Sequence, residues 1–196
     1  VTGVGAVINT ANAREEDSIA VVGLGGVGLS ALLASMAIGS KKTIAIDLSN
    51  EKLKLAHELG ADHILNPNDA NFLERIRDLT SGGANIAIET AGSGRALKTA
   101  YDITRRGGTT VAAGMPGPKV DITLSHLSIA AEERIIKGSY MGSCIAHRDI
   151  PKYLDMFQTG KLPVDRLLSR KITFEQLNEA MDRLDDAKTV REVLIP

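Results

Sequence analysis

Short apolar runs recur along the chain, and most are followed by a stretch in which apolar residues return every three or four positions. Six of the runs predict buried strands, over residues 18–22, 43–47, 63–65, 86–88, 109–113 and 134–138, each rich in Ile, Val or Ala and bounded by glycine or polar residues. Residues 26–38, 50–59, 68–80 and 94–103 carry the helical spacing and are long enough to act as crossovers between parallel strands. Asn50 and Asn68 are candidate N-caps, and Gly60 follows Leu59 as a C-terminal stop. Beyond Ser139 the pattern changes to a helix over 148–159, an extended run near 168–172, a helix over 174–186 and a last strand over 190–195.

Strands alternating with helices predict an α/β fold in which a parallel sheet is covered on both faces. Six strands in two halves predict the doubly wound order 3-2-1-4-5-6, the Rossmann architecture. Residues 1–140 are expected to form this dinucleotide-binding domain, with 1–17 as a helical linker leading in. Residues 141–196 are expected to form an α+β tail that returns toward a catalytic domain outside these residues. The chain opens at Val1 without an initiator methionine, and the expectation is that it is a piece of a longer protein.

The chemistry concentrates in one loop. Gly23-Leu24-Gly25-Gly26-Val27-Gly28 leaves the first strand and opens the first crossover helix, the context in which this spacing of glycines binds a pyrophosphate. Gly23 allows the tight turn, Gly25 admits the phosphates to the backbone, and Gly28 lets the helix pack against the sheet. The alternative is a glycine-rich turn with no ligand. Asp47 argues against that alternative, because it ends the second strand 19 residues after Gly28, where an acid accepts hydrogen bonds from an adenosine ribose. A 2′-phosphate would meet that carboxylate repulsively, and Leu48, Ser49 and Asn50 supply no arginine to bind it, so NAD is expected rather than NADP. Capping of the following helix is the other role open to Asp47.

Gly23 to Gly28, Asp47 with Lys52 behind it, Leu59-Gly60-Ala61-Asp62-His63 and the opening Thr2-Gly3-Val4-Gly5-Ala6 together resemble medium-chain dehydrogenases of the zinc alcohol dehydrogenase type. The resemblance runs the length of the chain. It implies oxidation of an alcohol to an aldehyde or ketone by hydride transfer to NAD, with a small-molecule alcohol or aldehyde as substrate. It further implies that Thr2 lies near the nicotinamide and Lys52 near the adenosine. Thr90, Ala91, Ala113, Gly114 and Met115 would line the nicotinamide half, Met141 and Gly142 would follow strand six, and Arg191 would reach the pyrophosphate. From the residues alone, Lys52 reads better as a solvated helix lysine and Arg191 as a surface charge; the resemblance reverses that preference for Arg191 and only balances it for Lys52. In this family the edge strand over 134–138, with Ile135 and Ile136, would pair across a two-fold axis, giving a homodimer or homotetramer.

Catalytic zinc is expected only in the other domain, and no catalytic or metal-ligating residue is assigned here. The chain holds one cysteine, Cys144, and four histidines, His57, His63, His126 and His147, with no metal-binding arrangement in sequence. Cys144 is expected to be a core or partly buried thiol. Lys and Arg number 23 against 24 Asp and Glu, which leaves no electrostatic footprint for nucleic acid. The longest apolar stretch, 27–38, is too short to cross a bilayer, no targeting segment is visible, and a reducing, cytoplasmic setting is expected. Two other readings use the same glycine loop: a stand-alone NAD-sensing module, and a class I methyltransferase, whose loop spacing fits less well.

Overall fold

The computed structural model describes residues 1–183 and 189–195. The chain enters through α1 (Thr2–Gly5), which continues as a π-helical turn over Ala6–Thr10. The helical lead-in therefore stops at Thr10 rather than running to residue 17, and Asn12 at φ 53° turns the chain out of it. There follow β1 (Ser18–Val22), α2 (Gly26–Ala37), β2 (Lys42–Ile46), α3 (Asn50–Leu59), β3 (His63–Leu65), α4 (Phe72–Thr80), β4 (Ala84–Glu89), α5 (Gly94–Ile103), β5 (Thr104–Ala112), α6 (His126–Ala131) and β6 (Ile135–Gly138). The tail holds α7 (Ala146–Gln158), β7 (Arg170–Ile172), α8 (Leu177–Asp182) and β8 (Glu192–Leu194).

The main sheet has six strands in the order β3-β2-β1-β4-β5-β6, all parallel, as the alternation of strands and helices predicts. β1 lies at the centre, with Ile19 opposite Thr43 of β2 on one side and Ile86 of β4 on the other. Because successive strand residues face opposite ways, β1 feeds two cores. Ile19 and Val21 pack with Leu29, Leu32 and Leu33 of α2 and Leu53 and Ala56 of α3. Ala20 and Val22 pack with Phe72 and Ile76 of α4 and Ala100 and Ile103 of α5. Both sheet faces are thus covered, which is why the strands read as unbroken apolar runs. The strand order reverses between β1 and β4, and the crevice at their C-terminal ends is where an open sheet of this kind takes a ligand.

Several boundaries differ from the sequence expectation. Ser49, not Asn50, caps α3, and the side chain of Asn68 caps nothing, since α4 starts at Phe72. Gly60 does terminate α3, at φ 113°. β5 begins five residues early, at Thr104, and its register against β4 shifts between Ala84 and Ile86. In the tail, β7 and β8 pair in a separate two-stranded parallel sheet. The expected helix over 174–186 is a 3-10 turn followed by α8, and residues 184–186 of that expectation lie outside the described residues. Cys144 is partly buried.

The tail is fastened to the lead-in by polar contacts. Asn9 Nδ2 donates to Gly142 O at 3.2 Å and to Asp149 Oδ2 at 3.1 Å. The Thr10 hydroxyl lies 2.7 Å from that of Ser139 and 2.9 Å from that of Ser143. Asp149 is buried, and the Arg148 guanidinium beside it holds its carboxyl well below the usual carboxylate range. A carboxylate held ionised in this way satisfies Asn9 and the Ile145 amide together.

Candidate nucleotide-binding site

The glycine loop is built by close contacts that side chains would block. Gly23 sits at φ 95°, and its amide donates to Ile46 O at 2.8 Å. A Cβ on Gly28 would lie 1.8 Å from Gly23 O, so only glycine lets α2 approach the loop this closely. Thr90 Oγ1 donates to Gly23 O at 2.7 Å, which ties the loop to the end of β4. Gly25, by contrast, is exposed, and a Cβ there would meet none of the described residues within 4 Å. No side chain caps the N-terminus of α2. Its first amides and the positive end of its dipole therefore face an open cradle suited to an anion. Arg191 closes that cradle from the tail: its Nη2 lies 2.8 Å from where a Gly26 Cβ would be.

Asp47 follows directly on β2. Its Oδ2 accepts from Leu24 N at 2.7 Å and its Oδ1 from Ser49 N at 2.9 Å. The carboxylate thus links the glycine loop to the start of α3, and the capping role falls to Ser49. A cavity of about 230 Å³ opens beside it, with Asp47, Leu48, Lys52, Pro67, Ala91 and Arg95 among its walls. Of the expected residues, Gly23, Asp47, Lys52 and Ala91 meet in this cavity.

The residues expected to line the nicotinamide half form a second cluster. The loop carrying Thr90 and Ala91 touches the loop carrying Ala113, Gly114 and Met115: a Gly92 Cβ would lie 2.7 Å from Met115 O, and a Gly114 Cβ 2.2 Å from Gly92 N. Both loops hang from Glu89, which sequence reasoning missed. Its Oε1 accepts from Gly92 N at 2.6 Å, and its main-chain O accepts from Ala113 N and Gly114 N. Burial pushes the Glu89 carboxyl above its ordinary pKa, although the amides of Gly92, Ala91, Ser93 and Gly114 pull the other way. The signal available in sequence was an acid placed directly after an apolar strand.

Thr2, Met141 and Gly142 come together at a third point, beside α2. A Cβ on Gly142 would lie 2.7 Å from Thr2 O, and one on Gly3 would lie 2.1 Å from Val27 O. The side chain of Met141 is exposed. None of the three lines the cavity beside Asp47. Arg95 and Pro67, which do, were not anticipated.

Among the described residues no group of three or more His, Cys, Asp or Glu side chains could hold a metal ion. Cys144 and Asp149 approach one another, but Asp149 is already engaged by Arg148, Asn9 and Ile145. The described residues around the glycine loop and Asp47 therefore fit a dinucleotide, and among the described residues no side-chain set fits a catalytic zinc. No described helix is long and apolar enough to cross a membrane.

Residues 26–159 match the zinc-binding dehydrogenase family model, which is more than half of the chain. The chain belongs to the zinc-binding dehydrogenase family. It is 34% identical over 195 residues to a geraniol dehydrogenase of Castellaniella defragrans, covering 99% of this chain and 52% of that protein. It is also 34% identical over 200 residues to alcohol dehydrogenase class-2 isozyme 2 of Oryctolagus cuniculus, covering 99% of this chain and 52% of that protein. A crystal structure of an alcohol dehydrogenase zinc-binding domain protein from Burkholderia ambifaria superposes with a TM-score of 0.94 at 32% identity, over 100% of this chain and 53% of that one. This family member thus spans about half the length of the curated relatives it matches.

Proposed function

We propose that this chain is the NAD-binding half of a zinc-type alcohol dehydrogenase that oxidises a small alcohol to an aldehyde or ketone. The observation that carries the reading is the convergence on the uncapped N-terminus of α2: an open Gly25, the Arg191 guanidinium above Gly26, and Asp47 tied to the loop through Leu24. On this reading the α2 amides and Arg191 hold the pyrophosphate, Asp47 takes the adenosine ribose, and Lys52 flanks it. The loops after β4 and β5 support the nicotinamide, with Thr2, Met141 and Gly142 bounding that end. When bound, NAD supplies the hydride acceptor. Residues 1–140 act as the binding domain, 141–196 as the segment that returns to the catalytic domain, and alcohol activation at zinc belongs to that other domain.

Calorimetry on the purified chain is expected to show NAD binding, weaker than in an intact two-domain relative, with no alcohol-dependent NADH formation even after zinc is added. Asp47→Ala should weaken NAD by about tenfold or more, since a hydrogen bond to a charged group contributes roughly 1.5 to 3 kcal/mol, and should narrow the gap to NADP. Because Asp47 also anchors Leu24 and Ser49, thermal melting of the variant must accompany the titration. Equal loss for both cofactors contradicts the ribose role, and zinc-dependent turnover by this chain contradicts the division of labour.

The same reading includes homo-oligomerisation. β6 is an edge strand with Ile135 46% and Ile136 41% exposed. An unpaired apolar edge of this kind favours pairing with a second copy. Light scattering should report a dimer or larger, and a monomer at micromolar concentration would remove the proposal.

A further inference from the structure

The cavity beside Asp47 has a wall that the glycine fingerprint does not describe. Pro67, Arg95 and Thr99 line it, and the same three residues also line a neighbouring depression of about 510 Å³ that extends over α4. Arg95 therefore stands between the two. It is held there from across the groove, because its Nη2 donates to Asn68 Oδ1 at 2.7 Å. Asn68 is itself fixed: its amide donates to Asn66 Oδ1 at 3.0 Å, and Asn66 Nδ2 donates to Leu48 O at 3.0 Å and to Asn50 Oδ1 at 3.2 Å. A belt of hydrogen bonds thus runs from the end of β2, through the loop after β3, to the first turn of α5.

The position of this belt follows from the rest of the site. With the pyrophosphate at the α2 N-terminus and the ribose at Asp47, the base of an adenine dinucleotide must extend away from the glycine loop, toward Leu48, Pro67, Arg95 and Thr99. We propose that the Arg95–Asn68 pair is the end wall of the base pocket and limits the size of the purine the site accepts. The inference rests on the dinucleotide reading above and adds a selecting residue to it. Arg95 suits the role because a guanidinium is planar, can lie against an aromatic ring and is held in orientation by its hydrogen bond. Removing the bar joins the cavity to the larger depression beyond it.

The test compares NAD with etheno-NAD, whose purine carries an extra fused ring, by calorimetry and by ligand fluorescence on the full chain. The wild type should prefer NAD by about tenfold or more, the scale on which a pocket discriminates one added group. Arg95→Ala should narrow that ratio to about twofold by gaining affinity for etheno-NAD, again on the tenfold scale of pocket discrimination. Asn68→Ala should narrow it in part, because Arg95 loses its tether. Arg95→Lys should behave like the alanine variant, since a flexible ammonium replaces neither the plane nor the fork. Arg95 is exposed, so melting temperatures should stay close to wild type. Equal wild-type affinity for the two dinucleotides overturns the proposal, as does equal loss of both in Arg95→Ala. If NAD binds and responds to Asp47→Ala while the Arg95 variants leave the ratio unchanged, the wall alone falls. If a folded chain binds no NAD, the dinucleotide reading falls and takes the wall with it.

Discussion

Gly28→Ala is expected to lower the stability of the chain and to abolish measurable NAD binding, whereas Gly25→Ala should leave stability untouched and lose only the cofactor. The two glycines stand three residues apart in one loop, yet the space around them is opposite. At Gly28 a Cβ would sit 1.8 Å from Gly23 O and 2.7 Å from Thr90 Oγ1. The nearest of these is backbone, so the start of α2 must move off the loop, at a cost on the order of 3 kcal/mol for overpacking a tight contact. At Gly25 the backbone is extended, at φ −76° and ψ −171°, a conformation that alanine adopts freely. Among the described residues nothing lies within 4 Å of the added methyl, so stability should stay within about 0.5 kcal/mol of wild type. With no described residue in reach, that methyl would meet a ligand approaching the α2 amides, and NAD affinity should fall by about tenfold or more. A Gly25→Ala chain that binds NAD as wild type does would move the pyrophosphate away from this loop. A Gly28→Ala chain with unchanged stability would show that the contact with Gly23 yields easily.

The parts of this fold that could be read from sequence are those whose signal is local. β1 is found at its predicted bounds because a strand covered on both faces needs an unbroken apolar run. The start of β5 was not legible, because Thr104-Arg105-Arg106-Gly107-Gly108 is polar and glycine-rich and its pairing is set by β4. Asn68 looked like a cap because it precedes a helical pattern. In the structure its side chain is engaged by Arg95, 27 residues away, and α4 waits until Phe72. The candidate site divides the same way. The glycine loop and Asp47 were visible through their spacing. The Leu48–Asn66–Asn68–Arg95 belt depends on two loops and the first turn of α5 meeting in space, which no periodicity records. Sequence also left Asp47 a choice between ribose ligand and helix cap; in the structure the cap is Ser49, and the ribose role belongs to the proposed function.

Glu89 is the buried acid on which the loops after β4 and β5 depend, and it should give the chain a distinctive pH response. Its side chain is 2% exposed at the end of β4. Burial raises its pKa, so folding favours the protonated form relative to the unfolded chain. The sign follows by linkage: the stabilisation from this group is complete below the ordinary glutamate value and is lost as pH rises through the higher folded value. Glu89→Gln cannot titrate. Urea midpoints measured over about pH 4 to 8 should therefore show the variant gaining on the wild type as pH rises, with the difference isolating Glu89 from carboxylates such as Asp149 that respond with the opposite sign. Glu89→Ala is the stronger perturbation, because it leaves the Gly92 amide without its side-chain acceptor and should cost on the order of 1 to 3 kcal/mol at any pH. Since Glu89 holds the loops after β4 and β5 and does not line the cavity beside Asp47, the same variant should weaken NADH more than ADP-ribose, which lacks the nicotinamide. A pH slope that survives in Glu89→Gln would place the titrating group elsewhere. Equal weakening of NADH and ADP-ribose in Glu89→Ala would mean that the acid supports the whole crevice rather than its nicotinamide end.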